Sequence, residues 1–176
     1  MKLTVTKPSD MRKEDRAAFI DFVNQAGEVD PETLPGLVAD AVALVTIHEG
    51  ETLIGTAALK RPSADYRKRT FKKANHEQAE AAHPLELGWV HVHQDHERKG
   101  HGLRRVEAVL EAAKGEGVYA TTKNDAMRRM LPKASFAKAG GDYHSTRKPE
   151  EMLSLYTRAA KPKGEGAAPT GDRSEG

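Results

Sequence analysis

The pattern of apolar and polar positions predicts six β-strands interleaved with helices. Short segments in which apolar and β-branched residues alternate or run together, bounded by glycine, proline and acidic residues, are typical of strands. Apolar residues three and four positions apart indicate amphipathic helices with one buried face. The strands are expected at 2–6, 42–47, 52–59, 85–93, 118–122 and 152–157, and the helices around 18–26, 34–41, 102–114 and 125–131.

Two glycines carry specific expectations within this pattern. Gly50 lies between the strands 42–47 and 52–59, so it is expected to supply the turn of a hairpin. Gly55 lies inside the second of these strands, which indicates a bulge or a close backbone approach.

Two polar segments interrupt the pattern and define the expected domain organisation. Residues 60–83 are rich in charge, with Tyr66 and Phe71 as their large anchors, and are predicted to be a partly helical insertion. Lys161–Gly176 has almost no apolar content and is predicted to be a disordered tail. One α/β domain over residues 1–160 is therefore expected.

Composition narrows the classes of protein that fit. The chain has 28 basic and 26 acidic residues, so a polyanion-binding site would have to be local. It has no cysteine, which excludes disulfides, thiolate metal sites and cysteine nucleophiles. With no apolar run of membrane-spanning length and no apolar signal segment, a cytoplasmic protein without membrane contact is expected.

A glycine-rich turn after the 85–93 strand predicts an anion site. Gly100 and Gly102 lie where an amphipathic helix begins, and Arg98 and Lys99 precede them. A helix start has free backbone N–H groups and the positive end of the helix dipole, and glycine lets a pyrophosphate approach that backbone closely. The alternative is that the two glycines only open the helix.

This segment resembles the acyl-CoA motif of the GCN5-related N-acetyltransferase (GNAT) family. The family motif is an apolar strand, then [QR]xxGx[GA], then a helix, and here Val92 is followed by the run Glu97–Gly102, ERKGHG. Glu97 stands where the family has glutamine or arginine, which implies weaker pyrophosphate binding with Arg98 or Lys99 compensating. The likeness extends over about residues 1–158.

The resemblance implies an α/β (α+β) fold with a central mixed, mostly antiparallel sheet flanked by helices and splayed between its fourth and fifth strands. It implies acetyl-CoA as acyl donor and a primary amine as acceptor. Direct attack in a ternary complex is expected, because no cysteine exists to carry the acyl group. The residues implied to bind acyl-CoA are Val90, Val92, Glu97, Arg98, Lys99, Gly100, His101, Gly102, Leu103 and Asn124.

Glu86 is the candidate general base. It lies six residues before Val92 on the same strand, where several family members have a glutamate that acts through water. Its alternative is an exposed carboxylate at a strand end. The family's tyrosine acid falls on Leu131 here and the glycine of the same pattern on Ser135, so the acid is unassigned, with Tyr143 as a weak substitute. Asn124 has simple helix capping as its alternative.

A second motif suggests a different enzyme class. His91, His93, Asp95 and His96 spell HxHxDH, a metal signature of metallo-β-lactamase-like hydrolases. Such folds usually need a longer chain and further ligands, so no metal is expected and surface histidines are the favoured interpretation. A non-catalytic module that binds CoA or nucleic acid on the same fold is the other alternative.

Two further features leave the substrate open. Trp89 is interpreted as a core residue rather than a substrate contact. The basic residues of the insertion are interpreted as a solvated helix face, with a grip on phosphate or nucleic acid as the alternative. A small amine, a protein amine and a modified nucleic-acid base all remain candidate acceptors, and a homodimer is left open.

Overall fold

The computed structural model describes residues 1–97 and 101–162. Within this part of the chain, seven strands form one sheet. Its strands are β1 Lys2–Thr6, β2 Ala43–Glu49, β3 Thr52–Lys60, β4 Leu85–Val92, β5 Val118–Thr122, β6 Ala137–His144 and β7 Met152–Arg158. The α-helices are α1 Lys13–Gln25, α2 Leu34–Ala39, α3 Ala64–Lys73, α4 His101–Ala112 and α5 Asp125–Met130. Among the helices of the described residues, none combines the length and apolarity needed to cross a membrane.

The strands lie in the order β1-β2-β3-β4-β5-β7-β6, and neighbours are antiparallel except β4 and β5, which are parallel. The paired register of β4 and β5 covers only Leu85 with Val118 and Glu86 with Tyr119. Beyond Glu86 the two strands separate. The mixed sheet and its splay between the fourth and fifth strands are therefore confirmed.

Alternating strand residues build a core on each face of the sheet. Val45, Leu59 and Leu87 pack with Val106 and Val109 of α4 on one face. The opposite face carries α1 and α2 over β2 to β4, and α3 over β5 and β7. Side chains alternate along a strand, so the neighbours of residues that pack on α4 point to the other face of the sheet. The helices α1, α2 and α3 all cover that other face.

The two glycine predictions are confirmed. Gly50 has φ +60° in the turn between β2 and β3, a conformation that glycine adopts without steric cost. A Cβ atom on Gly55 would lie 2.5 Å from Nη1 of Arg105 and 3.3 Å from the carbonyl oxygen of His91. The missing side chain thus makes room for an arginine of α4.

The charged insertion, residues 60–83, is partly helical as predicted. It contains α3, whose N-cap Ser63 accepts a hydrogen bond from the Tyr66 amide, and a 3₁₀ turn at Glu77–Ala82. Phe71 of α3 is fully buried and packs edge-to-face on Tyr119. The insertion is thus anchored to the sheet rather than only solvated.

The strand β6 is absent from the sequence prediction, which is wrong at this point. Its sequence AKAGGDYH has Ala139 as its one buried residue, and it lies at the edge of the sheet. Register shifts between Ala139 and Tyr143, so the apolar alternation that marks a strand is broken by a bulge. An edge strand rich in glycine has too weak a pattern to be recognised.

A buried ion pair inside the insertion predicts a stability effect. Arg67 Nε lies 2.8 Å from Glu80 Oε1, with side chains only 16% and 10% exposed. Removing one partner leaves the other charge buried and uncompensated, so Arg67→Met should lower the free energy of unfolding by about 3 kcal/mol. Chemical denaturation measures this change.

The matched control is Arg61→Met, whose pair with Glu116 is 48% and 44% exposed. Exposed ion pairs contribute about 0–1 kcal/mol, so this variant should stay close to wild type. Equal losses in the two variants would contradict a structural role for the buried pair.

Candidate active site

A cleft of about 510 Å³ opens where β4 and β5 separate. Its walls come from both strands, from α3, from the loop 145–148 between β6 and β7, and from the segment between α1 and α2. Strands that diverge leave the backbone of β4 beyond Glu86 without pairing to β5. The cleft therefore joins side chains from several elements to a strand edge with free hydrogen-bonding capacity.

A bulge in β4 shapes this edge. Trp89 and Val90 together face Ala57 of β3, because the register shifts between Thr56 and Ala58. Trp89 has φ +50°, an uncommon conformation for a bulky residue, and its carbonyl oxygen accepts a 2.9 Å hydrogen bond from Thr56 Oγ1. Strained backbone of this kind persists where surrounding contacts fix it.

Trp89 is a core residue, as interpreted from the sequence. It is 7% exposed and its ring meets the Phe19 ring edge-to-face at 6.2 Å between centroids. It also lines the cleft, and the Lys60 ammonium lies 4.9 Å from its ring centroid. The residue thus packs the core and borders the site at once.

Glu86 lies at the apex of the splay, in the last residue pair that joins β4 to β5. It is 5% exposed and lines the cleft, so the alternative of an exposed strand-end carboxylate is wrong. Lys60 Nζ lies 3.1 Å from Glu86 Oε2. Lys60 was not predicted as a partner of Glu86, because their pairing depends on the register of β3 against β4.

Three tyrosines surround the Glu86 carboxylate. The nearby negative charge raises the pKa of Tyr66, whereas burial and then the same charge raise the pKa of Tyr119. Burial, followed by the Glu86 charge, raises the pKa of Tyr143 to about 12. All three hydroxyls therefore keep their protons at neutral pH.

The Tyr119 hydroxyl is buried and has no hydrogen-bond partner among residues 1–97 and 101–162. Leu131, which falls at the family's tyrosine position, is fully buried in the core and offers no proton donor.

The predicted acyl-CoA residues are distributed around the splay. Val90 and Asn124 line the cleft, Val92 ends β4, and His101, Gly102 and Leu103 form the first turn of α4. Glu97 is exposed and ends a 3₁₀ turn at 94–96. Arg98, Lys99 and Gly100 lie outside the described residues.

Asn124 is an N-cap, as its alternative interpretation states. Its Oδ1 accepts hydrogen bonds from the amides of Ala126 at 2.7 Å and Met127 at 3.2 Å. The cap fixes the start of α5 at the rim of the cleft. Contact between Asn124 and the CoA arm stays a prediction.

Arg105 is a buried residue near the glycine turn that sequence reasoning missed. It is 4% exposed, its Nη1 donates a hydrogen bond to the His91 carbonyl oxygen, and burial lowers its pKa to about 10. Its Nε has no partner within the described part of the chain. The signal for it was Gly55, because the missing side chain there accommodates this guanidinium.

The side chains of the HxHxDH motif lie beside different acidic residues. His91 faces Glu28 at 3.9 Å and burial lowers its pKa, His93 faces Asp95 at 3.5 Å, and His96 faces Glu49 at 3.8 Å. Across the described ranges, no three metal-ligating side chains converge. The motif does not form the ligand set that a metal-dependent hydrolase requires.

A mixed sheet that splays between two parallel strands, with α4 packed on one face, is the fold of acyl-CoA N-acyltransferases. The chain belongs to the acetyltransferase (GNAT) family, whose family model matches residues 10–136. The family resemblance seen in the sequence is therefore confirmed, and with it the class of N-acetyltransferases.

Solved structures share this fold at low sequence identity. An acyl-CoA N-acyltransferase from Pseudomonas aeruginosa has a TM-score of 0.64 and 16% identity, over 90% of this chain and 99% of that chain. Salmonella typhimurium yncA, solved with its cofactor acetyl-CoA, has 0.64 and 16%, over 96% and 98%. The ribosomal-protein-S18-alanine N-acetyltransferase from Escherichia coli has 0.64 and 13%, over 95% and 99%. The sequence has no significant match among curated proteins.

Proposed function

We propose that the protein transfers an acetyl group from acetyl-CoA to a primary amine by direct attack in a ternary complex. The observation that carries this proposal is the position of Glu86, buried at the apex of the splay and lining the cleft. Family membership supports the reaction class. Direct attack is favoured because the chain has no cysteine that would carry the acetyl group.

The described residues fit acetyl-CoA. The edge of β4 near Val90 and Val92 is free of β5, so its backbone can bond the amide groups of the pantetheine arm. The first turn of α4, His101–Leu103, offers backbone N–H groups to the pyrophosphate, and the sequence adds Arg98, Lys99 and Gly100. Acetyl-CoA supplies the acetyl group as a thioester.

Glu86 acts as the general base in this proposal, directly or through water. An amine must lose a proton to attack a thioester, and a general base has to be ionised to accept that proton. The Lys60 ammonium 3.1 Å away is a partner for an ionised carboxylate. Lys60 therefore orients the Glu86 carboxylate in the cleft.

Tyr143 is the proposed proton donor to the leaving thiolate. It lines the cleft, and burial together with the Glu86 charge raises its pKa to about 12, so the hydroxyl keeps its proton at neutral pH. Tyr143→Phe removes the donor and keeps the ring. This assignment replaces the tyrosine that the family pattern would place at the buried Leu131.

The test of the proposed function is a panel of amines with acetyl-CoA, read by release of free CoA and by the mass of the product. Calorimetry with acetyl-CoA alone is measured in parallel. Amine-dependent CoA release supports the transferase. Tight acetyl-CoA binding without transfer to any amine would instead support the non-catalytic module.

A substitution at the start of α4 tests the donor site. A Cβ atom on Gly102 would lie 2.7 Å from the sulfur of Met130, a flexible side chain that can move aside. Gly102→Val should therefore act by placing a branched side chain where the pyrophosphate would approach the backbone N–H groups of the first turn of α4. We expect acetyl-CoA affinity, measured by calorimetry, to fall at least about tenfold, roughly the effect of losing one or two hydrogen bonds to a charged group.

Gly36→Val is the matched control for this measurement. Gly36 lies in α2, and nothing lies within 4 Å of the position of its missing Cβ atom. It should leave acetyl-CoA affinity unchanged. Unaltered binding in Gly102→Val would contradict the donor site at α4.

A further inference from the structure

Basic side chains outnumber acidic ones in the cleft. Three carboxylates line it, those of Glu28, Glu86 and Glu151. Six cationic side chains line it with them: Lys60, Arg69, Lys73, Lys123, Arg147 and Lys148. The chain as a whole is close to neutral at +2, so this imbalance is local to the cleft.

The three carboxylates are already paired with lysines of the cleft. Lys60 pairs with Glu86 at 3.1 Å, and Lys123 lies 2.7 Å from Glu151 and 3.7 Å from Glu28. Lys148 also approaches Glu151, at 3.8 Å. Three cations of the six are thereby matched with the three acidic groups.

The other three cations, Arg69, Lys73 and Arg147, form no ion pair with any residue in 1–97 or 101–162. They lie on two elements that border the cleft, because Arg69 and Lys73 belong to α3 and Arg147 belongs to the loop 145–148. A hydrogen bond from Lys73 Nζ to Thr146 Oγ1 joins α3 to this loop. We call these three residues the cationic wall.

Four other basic residues of the insertion do not line the cleft. Arg61 and Arg67 form ion pairs with Glu116 and Glu80. Lys68 and Lys72 are exposed on α3 and are not among the residues that line the cleft. Arg69 and Lys73 are exposed on α3 as well, in agreement with the solvated helix face expected from the sequence, but unlike Lys68 and Lys72 they also line the cleft.

We propose that the acceptor is a small amine that also carries a carboxylate or a phosphate, and that the cationic wall binds this anion while the amine lies at Glu86. The proposal rests on the proposed function. Arg69 and Arg147 present planar guanidinium groups, whose geometry matches carboxylate and phosphate oxygens. The same unpaired positive charge repels a simple monoamine or a polyamine, so the wall selects by repulsion as well as by attraction.

The experiment compares matched acceptors with and without the anion. n-Pentylamine is set against 6-aminohexanoate, and ethanolamine against O-phosphoethanolamine, with kcat/KM measured at saturating acetyl-CoA. We expect the anionic member of at least one pair to be favoured tenfold or more, the effect of one charged hydrogen bond. The pair that shows the preference distinguishes a carboxylate from a phosphate.

Charge-reversal variants test whether the preference for the anionic acceptor depends on the cationic wall. The double variant Arg69→Glu with Lys73→Glu should abolish the preference and leave acetyl-CoA affinity unchanged. The matched control, Lys68→Glu with Lys72→Glu, makes the same change of charge on the same helix but outside the cleft. It should keep the preference.

Several outcomes overturn the proposal. Equal kcat/KM within both pairs would do so, as would an equal loss of preference in the control double variant. Stronger inhibition by a single-stranded oligonucleotide than by O-phosphoethanolamine would overturn it in favour of a nucleic-acid acceptor. Transfer without preference refutes the cationic wall alone, whereas no transfer to any amine refutes the proposed function itself.

Discussion

Glu86→Gln is expected to lower kcat by about 10² to 10⁴, the usual effect of losing a positioned general base, with acetyl-CoA affinity nearly intact. The substitution keeps the shape of a side chain that is only 5% exposed, so packing is preserved. The amide cannot accept the proton that the acceptor amine has to lose in order to attack the thioester. Steady-state kinetics with an accepted amine measure the loss, and calorimetry measures the affinity.

The pH dependence makes this prediction sharper. As pH rises, more of the acceptor amine is already deprotonated and needs no base, so the loss caused by Glu86→Gln should shrink. The matched control is Lys60→Met, which breaks the same 3.1 Å ion pair but keeps the carboxylate. It should lose less activity than Glu86→Gln. Wild-type kcat in Glu86→Gln between about pH 6 and 9 would leave catalysis to positioning alone.

Gly140→Ala should destabilise the protein by roughly 3 kcal/mol, which for a domain of this size lowers Tm by about 6–12 °C. Gly140 has φ +61°, and a Cβ atom there would lie 1.9 Å from the Ala74 carbonyl oxygen. That atom belongs to the backbone at the end of α3, so relief requires the insertion to move off β6. Thermal and urea unfolding measure the effect.

The neighbouring Gly141 provides the control. Its amide donates a 2.8 Å hydrogen bond to the same Ala74 oxygen, but nothing lies within 4 Å of the position of its missing Cβ atom. Gly141→Ala keeps that bond and should cost far less than Gly140→Ala. Similar losses at the two positions would show that α3 does not dock on β6 through this contact.

Local sequence patterns predicted most of the fold because most elements obey them. Strand β5 has the predicted bounds, and β1 also begins and ends as expected, since both alternate or cluster apolar residues between clear turns. The splay between β4 and β5 came instead from the family resemblance. The edge strand β6 was missed, because it buries one residue and bends at Gly140.

The site was predicted less completely, because its partners are distant in sequence. Glu86 and the glycine motif were predicted from one continuous segment, and their roles toward acetyl-CoA and the acceptor stay predictions. Lys60 pairs with Glu86 only because of the register of β3 against β4. Arg105 donates to the His91 carbonyl oxygen only because α4 packs on the sheet. The cationic wall likewise depends on α3 and the loop 145–148 meeting, which no local pattern encodes.

The bulge at Trp89 gives the protein an internal optical probe. Trp89 is the single tryptophan of the chain, and it borders the cleft with the Lys60 ammonium 4.9 Å from its ring centroid. Indole fluorescence responds to nearby charge and to exclusion of water, and here the whole emission arises from one ring at the strand splay. Titrations with acetyl-CoA or an acceptor are therefore expected to change the intrinsic emission directly, without a label and without turnover.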